Sequence, residues 1–411
     1  MFKKITINDW RQYSKVDIDF HNKLTILTGA NGAGKTTLFQ LLNRHWGWNL
    51  QLVSTPRFSK EGKKKYWAGF WNKKDDIVEE PPTVPHQDIG RIDYLNGVSA
   101  SISIPNNVAE TFAVNIQNQQ QVQGVYIPSH RAPYLFQKIE QIPTQIDAKD
   151  QIFQTYLNEM IGRYNINTRT QSPAFRIKSS LISLATFGYG NKAVVHNEEA
   201  VQMLEGFENI LRILLPPSLG FKSFKIRVPD VLLSTDTGDF SFDAVSGGIA
   251  AIIDMSWQIH MYSLIHNSFV VVIDEPEAHL HPALQQRLLP DLLTAFPNTQ
   301  FIIATHNPFL VTSVPDSNVY VLDYNEDGRV ESTLLDIINK AGSANEILRE
   351  VLGVPFTIPI WVESKINEIT DKFKTKTISE ESLSELKEEM FNLGLDHLFP
   401  DALTRVLEKK Q

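Results

Sequence analysis

The sequence contains no cysteine among its 411 residues, which excludes disulfide bonds and thiolate metal sites. It has no apolar run long enough to span a bilayer, and Met1–Thr6 lacks the apolar core of a signal peptide. Its net charge of −8 argues against a uniformly basic coat for nucleic acid but leaves room for a local basic patch. We therefore expect a cytoplasmic protein without a membrane partner.

The sequence also has no sustained heptad repeat, which excludes a long coiled coil. Its 42% apolar and 21% charged residues are typical of a globular protein. The length is compatible with two or three domains, or with one large core that carries a sizeable insertion.

The most informative stretch that is present is a phosphate-binding loop between a buried strand, Leu24–Thr28, and a helix that begins with Thr37–Leu42. The pattern G-x-x-x-x-G-K-[ST] is formed by Gly29, Ala30, Asn31, Gly32, Ala33, Gly34, Lys35 and Thr36, and Thr37 follows it. Glycines let the backbone N–H groups turn towards phosphates, and the helix start adds a favourable dipole. We expect Lys35 to reach the β- and γ-phosphates and the Thr36 hydroxyl to ligate Mg²⁺. The chain is thus predicted to bind a nucleoside triphosphate.

Three short strands, Lys3–Thr6, Val16–Phe20 and Leu24–Leu27, are predicted up to this loop. Trp10 and Arg11 lie between the first two. They are placed either to pack on a nucleotide base and touch its phosphates, or to form an edge loop with an ordinary surface arginine.

A second set of polar residues follows two further buried strands. Phe269–Ile273 is a continuous apolar run ending in Asp274 and Glu275, as expected of a central parallel strand. Asp274 is the predicted magnesium-linked carboxylate, and Glu275 is predicted to orient or deprotonate the attacking water. The strand Gln300–Thr305 delivers His306 to the same edge, where we expect it to sense the γ-phosphate.

Ser246, Gly247 and Gly248 open a long apolar helix, Ile249–Leu264. A helix start of this kind presents N–H groups to an anion.

Two regions of the first half have a different character. In residues 51–98, cations interleave with aromatic residues: Lys60, Lys63, Lys64, Lys65, Lys73 and Lys74 with Tyr66, Trp67, Phe70 and Trp71. This stretch is compatible with a grip on single-stranded nucleic acid, a protein-docking loop or a solvated insertion. An antiparallel meander is then predicted from Ile89–Tyr94, Ser99–Ile104, Phe112–Ile116 and Val122–Ile127.

Helices are predicted within 146–215, including Ile152–Ile161 and Glu198–Leu215, and strands return at Phe221–Val228, Val231–Thr235 and Asp239–Asp243. The tail is read as the helices Trp361–Lys372, Glu380–Asn392 and Asp401–Lys409. We predict an ATPase domain over 1–325, with an insertion at about 51–127 and a helical lobe at about 146–265, and a helical accessory region over 326–411.

The phosphate loop, Ser246-Gly247-Gly248, Asp274-Glu275 and His306, in that order, resemble the ATP-binding-cassette superfamily of ATPases over about residues 1–325. The resemblance implies an α/β fold: an ABC-ATPase head with a mixed central sheet, an inserted antiparallel β meander, a helical lobe and a helical C-terminal tail. It also implies ATP and Mg²⁺ as ligands and a head-to-tail dimer that encloses two ATP molecules. Ser246, Gly247 and Gly248 would then act in trans, with Ser246 on the γ-phosphate of the partner's ATP.

The segment Glu275–Pro282 narrows the resemblance to OLD-type and related RecF/SMC-like ATPases, because membrane transporters usually carry Ser-Ala-Leu-Asp here. The missing coiled coil argues against SMC or Rad50-like proteins. The meander and the segment Ile127–Arg131 look most like ATPase subunits of anti-phage systems such as Septu and PARIS. No clear glutamine loop is present, so Ser129, His130 and Arg131 are the candidates for coupling the two lobes.

The resulting expectation is an ATPase subunit that forms at least a dimer around ATP and controls a separate effector, a nuclease or a toxin, in anti-phage defence. The alternative is a RecF-like repair or recombination ATPase that binds DNA through the basic region from Lys60 to Lys74. The motor of a membrane transporter is a third, weaker possibility, since it requires membrane-domain partners.

Overall fold

The computed structural model describes residues 1–58, 64–68, 86–106, 109–131, 136–141, 148–164, 171–336, 344–351, 360–374 and 379–408. The chain divides into two compact units, Met1–Ile347 and Leu348–Gln411. Across the described ranges, no helix has both the length and the apolar character needed to cross a membrane.

The strands are β1 (Phe2–Trp10), β2 (Tyr13–Asp19), β3 (Leu24–Gly29), β4 (Leu52–Val53), β5 (Thr55–Phe58), β6 (Lys64–Trp67), β7 (His86–Tyr94), β8 (Ser99–Pro105), β9 (Thr111–Phe112), β10 (Asn115–Gln117), β11 (Gly124–Ile127), β12 (Ser223–Arg227), β13 (Asp230–Thr235), β14 (Gly238–Ser241), β15 (Phe269–Asp274), β16 (Thr299–Ala304), β17 (Asn318–Tyr324) and β18 (Val330–Leu334). The helices are α1 (Lys35–Leu42), α2 (Lys149–Tyr164), α3 (Pro173–Gly188), α4 (Glu198–Leu214), α5 (Gly247–Ser263), α6 (Pro282–Ala295), α7 (Pro308–Val311), α8 (Ile360–Lys374), α9 (Glu380–Asn392) and α10 (Phe399–Glu408).

The first unit is organised around a mixed 11-stranded sheet in the order β10-β8-β7-β1-β2-β18-β17-β3-β16-β15-β11. From β17 to β11 all neighbours are parallel, so their carboxyl ends meet at one edge. Strands β3, β15 and β16 are buried along their whole length, which explains their continuous apolar runs. The predicted α/β fold with a mixed central sheet is confirmed.

Strand β11 corrects the predicted meander. Val122–Ile127 was expected to be its last antiparallel strand, but Gly124–Ile127 pairs in parallel with β15. All four of these residues are buried, as in a parallel strand covered on both faces. A Cβ on Gly124 would lie 2.6 Å from the Val270 carbonyl oxygen and 2.5 Å from Trp46, so only glycine allows this close approach.

The rest of the predicted meander is antiparallel, but it is not a separate insertion. Strands β7, β8 and β10 continue the main sheet beyond β1. Two short pairs, β4 with β9 and β5 with β6, lie outside that sheet. The second pair brings Lys64, Lys65, Tyr66 and Trp67 into an antiparallel ribbon. The other predicted cations and aromatics, Lys60, Lys63, Lys73, Lys74, Phe70 and Trp71, lie outside the described residues.

Strand β18 corrects the predicted boundary at residue 326. Val330–Leu334 is not helical but pairs with β17 on one side and β2 on the other. The turn between them closes at Gly328, which has a φ of 70° and donates its N–H to the Asn325 carbonyl oxygen over 2.8 Å. The hairpin therefore completes the sheet, and the second compact unit begins only at Leu348.

The helices around the sheet have clear start signals. Ser172 caps α3, Asn197 caps α4 and Ser246 caps α5, each accepting a backbone N–H three residues on. The small sheet β12-β13-β14 interrupts this helical region where the sequence predicted strands. In the second unit, α8, α9 and α10 match the predicted tail helices and enclose an apolar core. Its members include Val362, Ile366, Leu386, Met390 and Val406.

Candidate nucleotide-binding site

The phosphate loop connects β3 to α1, as its sequence predicted. Gly29, Gly32 and Gly34 have φ values of 133°, 84° and 98°, which favour glycine. A Cβ on Gly29 would lie 2.2 Å from the Leu322 carbonyl oxygen, and one on Gly34 would lie 2.3 Å from the Tyr13 hydroxyl. The loop backbone is therefore pressed against its neighbours.

The other loop residues divide by exposure. Ala33 is buried, and Thr37 is half-buried in the first turn of α1. The exposed residues are Ala30, Asn31 and Thr36. Gly34 is the N-cap of α1 and offers no side-chain acceptor, so the first N–H groups of this helix have no side-chain cap. Such a helix start suits an anion.

Lys35 is buried at the centre of the loop. Its Nζ donates to the carbonyl oxygens of Gly29 and Ala30 at 2.8 and 3.1 Å. Burial lowers the pKa of this ammonium, and the carboxylates of Asp274, Glu275 and Glu277 oppose that effect. The loop therefore holds a cation against its own backbone, with acidic groups close by.

Thr36 and Asp274 lie in direct contact although 238 positions separate them. The Thr36 hydroxyl donates to Asp274 Oδ2 over 2.8 Å. Burial raises the pKa of Asp274, while the bond from Thr36 and the charges of Lys35 and His130 lower it. A hydroxyl and a carboxylate are the hard oxygen ligands that Mg²⁺ prefers. Mg²⁺ is commonly bound by one or two protein oxygens together with substrate phosphates and water, and this pair would supply the protein oxygens. Within the described ranges no group of three or more His, Cys, Asp or Glu residues could hold a metal.

Glu275 and His306 meet at the ends of neighbouring strands. His306 Nδ1 lies 3.2 Å from Glu275 Oε1, and both side chains are partly exposed. Glu275 has a φ of 48° and donates its N–H to the Ala304 carbonyl oxygen over 2.9 Å. This bond fixes the turn after β15 to the end of β16, so the predicted catalytic pair is brought together.

The three candidate coupling residues follow β11, next to the acid-bearing strand. The Arg131 guanidinium donates to the carbonyl oxygens of Glu275 and Pro276, both at 3.3 Å. His130 is exposed and its charge lowers the pKa of Asp274, while Ser129 is half-buried. Contacts to the acid-bearing turn therefore single out Arg131 within this segment, and His130 acts on Asp274 through its charge.

The segment Ser246-Gly247-Gly248 forms the start of α5. Ser246 Oγ accepts the Ile249 N–H over 3.5 Å, and both Ser246 and Gly247 are exposed. A Cβ on Gly248 would lie 2.8 Å from the His279 carbonyl oxygen, so this glycine allows a close approach.

The approach to this helix start is anchored by a buried ion pair. Lys178 Nζ donates to Asp243 Oδ2 over 2.6 Å and to the Gln137 carbonyl oxygen over 2.8 Å. Asp243 lies three positions before Ser246, so α3 holds the segment that leads into the helix start.

Comparison with known proteins agrees with this geometry. The profile of a family described as "AAA domain" matches residues 4–179. That of a family described as "AAA domain, putative AbiEii toxin, Type IV TA system" matches residues 232–312. Between them, these matches contain the phosphate loop, the start of α5, the acid-bearing strand and His306.

Two similar proteins are Septu protein PtuA of Bacillus thuringiensis and a "Retron Ec83 probable ATPase" of Escherichia coli. The first is 22% identical over 100% of this chain and 97% of its own length. The second is 25% identical over 49% of this chain, and the match covers 38% of its own length. The chain is thus similar to proteins that carry AAA domains or are named as ATPases. These relatives support ATPase activity in general.

Head domains of SMC proteins are among the solved structures that align with this chain. The SMC head domain from Thermotoga maritima aligns over 82% of this chain and 99% of its own, at 12% identity and a TM-score of 0.42.

The structure adds Asp254, a site residue that sequence reasoning missed. It is buried in α5, where it accepts hydrogen bonds from the Tyr156 hydroxyl and, over 3.1 Å, from Gln258 Nε2. Burial raises the pKa of Asp254, whereas Tyr156 and the positive charge of Arg131 lower it. The charge of Arg131, whose guanidinium contacts the acid-bearing turn, thus also acts on Asp254 in α5. The available signal was that Asp254 is the only acid in a largely apolar helix.

Glu277 is a second residue whose role the sequence did not reveal. It is 6% exposed, and its Oε1 accepts the Thr305 hydroxyl. The Thr305 hydroxyl oxygen in turn accepts the Asn307 N–H over 2.9 Å. Burial raises the pKa of Glu277, and within the described ranges its Oε2 has no hydrogen-bond partner. Glu277 therefore ties the turn after β15 to the residues on either side of His306.

Trp10 is a correction to the sequence interpretation. It was placed as a possible surface for a nucleotide base, but it is fully buried and donates its indole N–H to the Ala68 carbonyl oxygen over 3.1 Å. Arg11 has its guanidinium 5.3 Å from the Trp10 ring and 5.5 Å from the Phe112 ring. It also donates to the Val53 carbonyl oxygen over 2.7 Å. A contact between Arg11 and ATP stays a prediction.

Proposed function

We propose that this protein binds ATP with Mg²⁺, hydrolyses it, and uses the bound nucleotide to join subunits. The observation that carries the proposal is the assembly of two pairs, Thr36 with Asp274 and Glu275 with His306, at the sheet edge that also bears the phosphate loop. Residues from distant parts of the chain have no structural reason to expose this many polar groups at one edge, whereas phosphoryl transfer requires them.

Each residue then has a defined task. Lys35 and the N–H groups of the loop bind the phosphates. Thr36 and Asp274 would hold Mg²⁺, which would supply positive charge against the phosphates. Glu275 orients the attacking water and accepts its proton. His306 steadies the Glu275 carboxylate through Nδ1 and contacts the γ-phosphate through its other ring nitrogen.

The site is completed by a second copy of the chain. Ser246 and Gly247 are exposed at the start of α5, where an anion is favoured. In a head-to-tail dimer, Ser246, Gly247 and Gly248 of one subunit contact the γ-phosphate bound by the other. Arg131 then couples the two lobes of each subunit, because it donates to the backbone of the acid-bearing turn and its positive charge lowers the pKa of Asp254 on the same α5 helix.

We further propose that ATP-driven assembly controls a separate effector, a nuclease or a toxin, in anti-phage defence. Similarity to Septu protein PtuA along the full length of both chains supports this role. The helical unit Leu348–Gln411 is the segment available to hold such an effector. Purification of the natural operon, followed by mass measurement with and without ATP, tests for the partner.

A RecF-like DNA-binding role is the second candidate. The β5–β6 ribbon places Arg57 opposite Lys65, and Lys64 Nζ lies 5.0 Å from the Tyr66 ring. Cations beside aromatic rings suit single-stranded nucleic acid. Reversing the charges of Lys64 and Lys65 should weaken DNA binding and reduce its salt dependence. Absence of any DNA binding by the wild type at low salt would eliminate this candidate.

The hydrolytic proposal is tested with Glu275→Gln. This variant should bind ATP normally, lose hydrolysis by a factor of about a hundred or more, and accumulate as an ATP-bound oligomer. Size-exclusion chromatography with mass detection, with and without ATP, measures the accumulation. Glu199→Gln, on the exposed start of α4, is the matched control. Wild-type hydrolysis by Glu275→Gln would refute the assignment of Glu275 as the base.

A further inference from the structure

Strand β17 ends beside the phosphate loop, on the side away from the hydrolytic residues. It pairs in parallel with β3, and Leu322 lies opposite Gly29. Tyr324, two positions further on, is therefore level with the start of the loop. A Cβ built on Gly32 would lie 3.5 Å from the Tyr324 hydroxyl, yet 44% of Tyr324 is exposed. An aromatic side chain thus borders the loop while remaining accessible.

The position of the hydrolytic groups gives a bound nucleotide its direction. Asp274 and Glu275 follow β15 and His306 follows β16, whereas β17 lies on the opposite side of β3. The γ-phosphate must face the groups that hydrolyse it. The nucleoside end of a triphosphate held over the loop therefore extends towards the β17 side, where Tyr324 lies.

Two aromatic residues near the loop, at the end of β1 and the start of β2, are closed off. Trp10 and Tyr13 are fully buried. The Tyr13 hydroxyl donates to the Gly34 carbonyl oxygen over 2.6 Å and so supports the loop from below. Neither residue can present a ring face to a base, whereas Tyr324 is accessible.

The backbone at Tyr324 leads into a well-bonded turn. The Asn325 side-chain oxygen accepts the N–H groups of Asp327 and Arg329 over 3.1 and 2.9 Å. Arg329 in turn pairs with Asp9 over 2.6 Å, which fixes this turn to the end of β1. A side chain carried on a fixed backbone loses less conformational entropy when a ligand arrives than one carried on a mobile loop.

We propose that Tyr324 provides the stacking surface for the base of the bound nucleoside triphosphate. This inference rests on the proposed binding of ATP and names the residue that holds its nucleoside end. Stacking uses the π-face that every base has, so it should raise affinity for nucleoside triphosphates in general rather than select adenine. It should contribute nothing to the binding of a triphosphate that lacks a nucleoside.

The test compares two ligands on the full-length protein with Mg²⁺ by calorimetry: a non-hydrolysable ATP analogue and inorganic tripolyphosphate. Tyr324→Ala should weaken the analogue about tenfold and leave the Kd of tripolyphosphate unchanged. Tyr324→Phe and Tyr324→Trp keep a ring and should retain wild-type affinity for both ligands. Tyr189→Ala removes a comparably exposed tyrosine at the end of α3 and is the control.

Three results would overturn this inference while leaving ATP binding in place. They are an unchanged Kd of the analogue in Tyr324→Ala, a loss in Tyr324→Phe as large as in Tyr324→Ala, and an equal loss for tripolyphosphate. The second would assign the contact to the hydroxyl, and the third would indicate a damaged loop. Lys35→Ala should lose both ligands. If the wild type bound neither ligand, the proposed ATP binding itself would fail.

Discussion

The two sides of the phosphate-loop strand β3 are built differently. On the side of β16, β15 and β11, polar side chains contact one another: Thr36 with Asp274, and Glu275 with His306. On the side of β17, β18, β2 and β1, the polar side chains nearest the loop bond to backbone carbonyl groups. Tyr13 donates to the Gly34 carbonyl oxygen, and Arg11 donates to that of Val53.

This difference suggests a division of labour. A cluster of mutually bonded acids, hydroxyls and histidine can move protons and bind a metal, but it contributes little to the shape of the loop. Side chains that bond to backbone carbonyls can shape the loop and orient a ligand, but they cannot accept a proton from water. Changes on the β15 side should therefore alter turnover, and changes on the β17 side should alter binding or stability.

Among changes outside the catalytic pair, the largest effect is expected from removing the charge of Arg131 or of Asp254. Arg131→Met and Asp254→Asn should each lower kcat about tenfold with little change in KM, because each uncouples α5 from the acid-bearing turn. The double variant should be no worse than either single one, since both remove the same connection. Steady-state ATPase kinetics measure all three.

Arg287→Met is the matched control, because Arg287 forms an exposed pair with Asp291 on α6. If the two losses in kcat multiplied in the double variant, Arg131 and Asp254 would act independently. If only KM changed, Arg131 would act in ATP binding, and the predicted difference between the β15 side and the β17 side would be wrong.

A smaller effect is expected from Glu277→Gln, which keeps an oxygen for the Thr305 hydroxyl but removes the buried charge. Burial raises the pKa of Glu277, so the native state holds this proton more tightly than the unfolded chain. The contribution of Glu277 to stability therefore falls as pH rises from the ordinary glutamate pKa through the raised one. Glutamine does not titrate, so the variant should gain about 1 kcal/mol over the wild type near pH 8, and less near pH 5.

Thermal unfolding of both proteins across this pH range measures the difference. Glu277→Ala is the comparison variant. It leaves the Thr305 hydroxyl without its acceptor, so it should lower the stability of the protein at every pH. A constant difference between wild type and Glu277→Gln would mean that Glu277 does not titrate differently in the native state.

The smallest effect is expected from Arg11→Ala. Its contacts with Val53, Trp10 and Phe112 favour a structural role, so the variant should lose about 0.5–1 kcal/mol of stability. The Kd for ATP should change less than about threefold. Thermal unfolding and ATP binding of Arg11→Ala are measured in parallel. A tenfold loss of ATP affinity would support the contact between Arg11 and ATP that the sequence predicted. It would also weaken the proposed difference between the β15 side and the β17 side.

The sequence predicted the parts of the site that follow buried strands. Asp274 and Glu275 end one apolar run and His306 ends the next, and parallel strands must deliver such residues to one edge. The phosphate loop is local, so its strand, glycines and helix could be recognised from adjacent residues. For these elements the spacing along the chain was enough to predict proximity, while their catalytic roles stay predictions.

The parts that were missed depend on pairing between distant segments. Nothing local in Gly124–Ile127 distinguishes an antiparallel partner from β15, and Val330–Leu334 becomes a strand only because β2 and β17 flank it. Asp254 and Tyr324 acquire their significance from neighbours about 120 and 290 positions away, Arg131 and Gly32. Single-sequence patterns carry no information on such contacts.

The central claim is that each ATP lies between the phosphate loop of one subunit and the start of α5 of another. The most direct measurement mixes two inactive proteins, Lys35→Ala and Ser246→Arg, and assays ATPase activity. In a head-to-tail dimer, the mixed pair contains one intact site, so activity should return to about a quarter of the wild-type value. No recovery from a mixture shown to form mixed dimers would contradict shared sites, and so would wild-type activity of Ser246→Arg alone.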